Sequence, residues 1–184
     1  MFKELFDKLK ADKKNWDNIQ SLFHEKEILT KTTLLSEGEI SKTIYFIKKG
    51  CLRMWFNNDG KDITFQFFFE NKGVCSLESF FNQQPSLFYI ESIEASSVVF
   101  INKNDFDIIL SKYPEIKEGF NDIILKRLSN YTTLFLSRIK DNPHKRYNEL
   151  MKTNPEIIQR IPQHYIASYL GITPVSLSRI RNKK

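Results

Sequence analysis

Residues 163–181 constrain the chain more tightly than any other stretch: Gln163-His-Tyr-Ile-Ala-Ser-Tyr-Leu-Gly-Ile-Thr-Pro-Val-Ser-Leu-Ser-Arg-Ile-Arg181. Ile166, Ala167 and Leu170 fall on one apolar face of a short helix. Gly171 follows at once, where a helix ends in a left-handed turn. Thr173 can cap a second helix, and Pro174 sits in its first turn, which tolerates proline. Leu177 and Ile180 give that helix a buried stripe, and alanine at 167 lets the two helices approach closely. The pattern predicts a helix-turn-helix. An ordinary helical hairpin packed on a core carries the same pattern, so the distribution of charge decides between them.

The net charge is +6, and residues 144–184 hold eight Lys or Arg against two Glu. All of the excess therefore lies in the segment with the helix pair. A basic module on a neutral body points to a polyanion partner; a solvated basic tail is the bland alternative. A second helix of this kind is shaped for the major groove of DNA. Thr173, Val175, Ser176 and Arg179 are placed to meet base edges, with Arg179 able to grip guanine through two hydrogen bonds. His164, Ser178, Arg181, Lys183 and Lys184 are placed for phosphates, which position without specifying.

The rest of the chain changes text twice. Residues 1–26 read as helical, with stripes at Phe2, Leu5, Phe6, Leu9 and at Trp16, Ile19, Leu22, Phe23. From Ile28 to Ile101 the sequence is rich in Thr, Ile, Phe, Tyr and Val and is cut by turn signals, which predicts an antiparallel sandwich or barrel. Asn57–Gly60 reads as a hairpin turn. Asp105 to Tyr113 is a short helix ended by Pro114. Between 115 and 140, Ile116, Phe120, Ile124, Leu128, Tyr131, Phe135 and Ile139 recur at helical spacing, widened by Ile123 and Leu134. Such a helix is ~37 Å long at 1.5 Å per residue. It is too apolar to stand alone, so pairing with a second copy through Phe120, Ile124, Leu128, Tyr131 and Phe135 is expected, against the alternative that it packs only on its own barrel. Asp141-Asn-Pro143 is the natural boundary before the next helix. The expected class is α+β, divided into 1–113, 114–141 and 142–184.

No apolar run approaches the ~18 residues of a membrane span, and the N-terminus lacks a secretory apolar core. The two cysteines, Cys51 and Cys75, make no disulfide framework. A reducing cytoplasm is the expected setting.

This order of parts resembles the Crp–Fnr family of bacterial transcription regulators along nearly the whole chain. The residues that carry the resemblance are Glu37-Gly38, Ile44-Tyr-Phe-Ile-Lys-Lys-Gly50, Asn58-Asp-Gly-Lys61, Arg146-Tyr147, Pro155, Ile161-Pro162 and the block 163–181. It implies a cyclic-nucleotide-binding-like roll, a dimer through the long helix, and a winged-helix-type reading head. Double-stranded DNA carrying an inverted repeat, a second copy of the chain and RNA polymerase are the partners it suggests. Val175 stands where many members place an acidic base-reader, so their usual half-site does not carry over.

The ligand segment departs from the family. Members that bind cyclic AMP hold its ribose and phosphate with a Gly-Glu pair and an Arg-Ser or Arg-Thr pair. Here Ser76-Leu77 replaces Gly-Glu, Glu78 stands one residue away, and no Arg or Lys occurs between Lys72 and Lys103. A buried phosphate without a cation is costly, so cyclic AMP is not expected to bind. The effector pocket is expected at Phe67, Cys75, Ser76, Leu77, Glu78, Leu87 and Tyr89. The aromatic set Phe65, Phe67, Phe68, Phe69, Phe80, Phe81, Phe88 and Tyr89 reads as roll core, or alternatively as the lining for an apolar ligand.

No cofactor or metal is expected. Two cysteines are too few for the usual iron–sulfur cluster, and His24, His144 and His164 are isolated. Cys75 reads as a buried inert thiol, with a redox sensor as the alternative. The expected function is a dimeric DNA-binding regulator and not an enzyme. The rival is a cupin-like small-molecule-binding roll or enzyme; residues 27–101 contain no His to serve it.

Overall fold

The computed structural model describes residues 13–182. The predicted stripe Phe2, Leu5, Phe6, Leu9 and the basic pair Lys183 and Lys184 lie outside the described residues. Helix α1 (Lys13–Ile19) and a 3-10 turn (Gln20–Leu22) lead into β1 (His24–Ile28). Residues 24–26, expected to be helical, are strand instead. His24 to Ile28 pair antiparallel with Phe100 to Ser96, and that distant partner supplies hydrogen bonds that a local pattern cannot announce.

The roll continues as β2 (Thr33–Leu35), β3 (Thr43–Lys49), β4 (Leu52–Asn58), β5 (Lys61–Phe68), β6 (Gly73–Val74), α2 (Leu77–Asn82), β7 (Tyr89–Ser92) and β8 (Ser96–Asn102). Its strands form two four-stranded antiparallel sheets, ordered β1-β8-β3-β6 and β2-β7-β4-β5. The β4-β5 turn is Asp59-Gly60, both at positive φ (50° and 80°). That is the twist a two-residue hairpin needs. Asn57 Oδ1 accepts the Gly60 N–H at 2.8 Å. Gly50 has φ +105°, and a Cβ there would lie 2.2 Å from Ser96 Oγ, so no side chain fits this crossing.

Three apolar clusters hold the molecule. Between the sheets lie Ile28, Leu35, Ile47, Leu52, Met54, Phe68, Val74, Ile90 and Val98, with Leu34, Tyr45, Phe65 and Phe88 against them. Outside the first sheet, Ile44, Cys75, Phe80 and Ile101 meet α3 (Lys103–Lys112) and α4 (Pro114–Lys140) through Phe106, Ile109, Ile116 and Phe120. The third cluster joins Cys51, Phe67 and Ile93 of the roll to the C-terminal helices α5 (Pro143–Thr153), α6 (Pro155–Arg160), α7 (Gln163–Leu170) and α8 (Pro174–Asn182). Among the described residues no helix is long and apolar enough to cross a membrane.

Helix α4 is 27 residues long and begins with proline in its first turn. Phe120 is 3 % exposed against the roll of its own chain, and Ile124 packs on the same cluster. Neither faces outward as the dimerisation set requires. The exposed apolar residues of the helix include Leu125, Leu128, Phe135, Leu136 and Ile139; Tyr131 is half-buried.

Candidate nucleic-acid interface and effector pocket

The helix-turn-helix is built as its residues dictate. Gly171 has φ 68°. Its N–H donates to the Ser168 carbonyl at 2.9 Å, and that of Ile172 to Ala167 at 3.0 Å, which closes the end of α7. Thr173 Oγ1 accepts the Ser176 N–H at 3.1 Å, capping α8. Ala167 is fully buried where the helices cross, and Leu177 anchors α8 below. Two guanidinium groups complete the frame. Arg138 of α4 donates to the Tyr169 carbonyl. Arg146 of α5 donates to the Leu170 carbonyl at 2.8 Å and the Asp141 carbonyl at 2.7 Å. Cations at a helix C-terminus answer its free carbonyls and its dipole.

The sequence-predicted base set divides. Val175 (61 % exposed) and Arg179 face solvent on α8. Thr173 donates its hydroxyl to Ser176 Oγ at 3.0 Å, so both side chains build the turn, and Ser176 is half-buried. Ser178, assigned to phosphate, is exposed beside Val175 and Arg179, one helical turn on from Val175. Arg181 is exposed on α8, and His164 is exposed on α7 with its ring 3.9 Å from that of Tyr165. Among the described residues Arg179 and Arg181 form no ion pair with a carboxylate.

The predicted effector pocket does not assemble. Phe67 belongs to the cluster under the C-terminal helices. Cys75 and Leu77 pack beneath α4, where they line a cavity of about 10 Å³ with Ile44, Phe120, Ile123, Ile124 and Arg127. Ser76 is buried and accepts from Ser86 Oγ at 3.1 Å. Glu78 is exposed, Leu87 is 71 % exposed, and Tyr89 stacks on Trp55 outside the roll at 4.3 Å. Strand alternation and the turn of α2 send neighbouring side chains to different faces. The aromatic set splits likewise: Phe65, Phe68 and Phe88 fill the space between the sheets, and Phe67 and Phe69 meet the C-terminal helices.

Two features escaped the sequence reading. A groove of about 440 Å³ opens between β2, β7, β3 and the 39–43 loop, lined by Leu34, Leu35, Tyr45 and Ile90 with Glu39, Ser41, Lys42 and Thr43 at its rim. The second is a register: Leu128 and Phe135 of the expected dimerisation set, and Ile139 of the expected stripe, join Leu125 and Thr132 at steps of 3, 4, 3 and 4 from Leu125 to Ile139. Burial pushes the thiols of Cys75 and Cys51 up to about 12, leaving neither as thiolate near neutrality.

Residues 25–113 match the family model described as the cyclic nucleotide-binding domain. No curated protein matches the chain in sequence. Among solved structures, the c-di-GMP-responsive global regulator CLP of Xanthomonas campestris is similar with a TM-score of 0.74 at 15 % identity, over 94 % of this chain and 91 % of that one. FixK2 of Bradyrhizobium japonicum gives 0.74 at 14 % identity, over 88 % and 83 %. A CooA mutant of Carboxydothermus hydrogenoformans gives 0.71 at 16 % identity, over 90 % and 77 %.

Proposed function

We propose that this chain, whose roll belongs to the cyclic nucleotide-binding domain family and whose fold is that of the Crp–Fnr regulators, is a sequence-specific DNA-binding transcription regulator acting as a homodimer. Its units are a sensor roll (1–113), a dimerisation helix (114–141) and a reading head (142–184). The observation that carries the reading is α8. One face is pinned by Leu177, while Val175, Ser178 and Arg179 stand free on the other, as a helix needs to enter a major groove. Arg181 and His164, with Lys183 and Lys184, serve phosphates.

The exposed apolar seam of α4 supports the dimer. Leu125, Leu128, Phe135 and Ile139 are each more than 60 % exposed. Their heptad spacing with Thr132 is that of a two-stranded coiled coil. A second copy of α4 supplies the matching surface.

Cyclic AMP is not the effector in this reading. Phe65 and Phe88 meet edge to face at 5.1 Å between the sheets, and no cation is contributed by residues 73–102. The groove beside the 39–43 loop is the open space a small effector would enter.

The test is a binding selection on randomised duplex DNA at near-physiological salt. An enriched inverted repeat with centres about one helical turn apart is the expected result. Binding without enrichment that vanishes as salt rises would reduce the protein to a polyanion binder.

A further inference from the structure

The outer face of the second sheet carries a buried charge, and the reading head covers it. Arg53 of β4 is 1 % exposed. It donates to Glu91 at 3.2 Å, Thr64 at 3.1 Å and Asp62 at 3.1 Å. Its guanidinium lies 4.7 Å from the Trp55 ring and 4.0 Å from that of Tyr165. Tyr165 belongs to α7, so the head supplies one wall of the cage. A guanidinium held between aromatic faces gains most when water is excluded.

Ser168, one turn further along α7, behaves as a strand residue. Its hydroxyl donates to the Asp62 carbonyl at 2.8 Å and accepts the Thr64 N–H at 2.9 Å. β5 is the edge strand of its sheet, so α7 closes the open edge. At the far side of the head, Arg160 grips both oxygens of Glu70 at 2.9 Å and also reaches Glu94. Glu70 in turn accepts the Gly50 N–H at 2.8 Å. Between these contacts lies the shared apolar cluster, with Phe67 and Tyr169 rings 5.2 Å apart. Arg138 fixes the other end of α7 to the long helix, and Arg146 of α5 ties that end to the Asp141 carbonyl.

We propose that Arg53, Tyr165, Ser168 and Arg160 form a latch that fixes the head on the roll, and so sets the half-site spacing that the dimer reads. The proposal rests on the DNA-binding, dimeric reading above. The four are positioning residues: none lies on α8, so base preference within a half-site is independent of them. Spacing depends on them because a head held at both ends cannot follow half-sites that move apart. Each added base pair displaces a half-site by ~3.4 Å and turns it by ~35°.

The test pairs two readouts on the full chain. The first is binding to duplexes bearing the selected inverted repeat with one or two base pairs inserted or removed at the centre. The wild type is expected to lose at least tenfold per step, whereas Tyr165→Leu and Arg160→Gln lose less than threefold and keep the same half-site sequence. Tyr165→Phe, which keeps the ring over Arg53, is expected to behave as wild type. The second readout is amide exchange at Thr64, whose N–H the head protects. It is expected to quicken at least tenfold in Tyr165→Leu and Arg160→Gln but not in Tyr165→Phe. Folded variants with wild-type spacing ratios, or a wild type indifferent to spacing, overturn the proposal. Failure to bind any inverted repeat while Thr64 exchange behaves as expected overturns the DNA reading, and the spacing claim with it, but keeps the latch.

Discussion

The two halves of α4 carry the same kind of apolar stripe and put it to different uses. In the first half Ile116, Phe120 and Ile123 are buried on the roll of their own chain; in the second Leu125, Leu128, Phe135 and Ile139 are exposed. The helix outruns the roll that covers it. A stripe records that a surface must be buried, not what buries it. The steps of four from Phe120 to Ile124 to Leu128 cross from one cover to the other, because a straight helix at 3.6 residues per turn drifts around its axis. That drift is why the expected dimerisation set mixed residues from both faces.

The difference is open to a direct attack. Phe120→Ala removes a ring from a closed core and should cost about 3–5 kcal/mol. Thermal unfolding should fall by the same amount at every protein concentration. Leu128→Ala removes a side chain that the proposed second copy buries, at about 1.5–3 kcal/mol of association per buried leucine. Sedimentation should show the dimer weakened, with the fold of each chain intact. A Leu128→Ala protein that remains a full dimer at nanomolar concentration would break the comparison, since the seam would then be buried by something other than a second copy.

What the sequence disclosed, and what it hid, follows the same divide between local and distant causes. Gly171, Thr173 and Pro174 specify the helix-turn-helix within a dozen residues, and Asp59-Gly60 specifies its hairpin. Each has a local conformational reason, so each was legible. His24 to Glu27 became a strand only because Val99 and its neighbours lie alongside. Arg53 is the one charge in the run Leu52-Arg-Met-Trp-Phe56. Its meaning needed Tyr165, over a hundred residues away. The effector set failed for a related reason. Its members are neighbours in the chain, but sheet register and the turn of α2 distribute them among several environments.

Smaller effects test the two faces of α8. Arg179→Ala should weaken binding to the selected repeat by about 1–3 kcal/mol and leave non-specific binding nearly unchanged. Arg181→Ala should weaken both alike and reduce the salt slope by about one. Equal losses from the two would reassign Arg179 to phosphate contact, and α8 would then have no charged base-reader among the described residues.

The smallest effect separates the charged part of the latch from its apolar part. The Arg160 fork, more than any other influence, holds the Glu70 carboxyl down to about 2, whereas an unfolded chain titrates it near 4.3. Because the folded value is the lower one, the stability from this pair is complete above the unfolded value. It drains as pH falls through the interval toward about 2, where the unfolded state takes up a proton that the native state resists. Glu70→Gln removes that uptake, so its melting temperature should fall less steeply than that of the wild type between pH 5 and about 2. The pair is partly exposed, and such pairs are usually worth below about 1 kcal/mol at neutral pH, so the change in slope is the sharper readout. Parallel acid limbs for the two proteins would assign the hold on the head to the Phe67 and Tyr169 cluster and the Arg53 cage, with Arg160 contributing orientation but no linked proton.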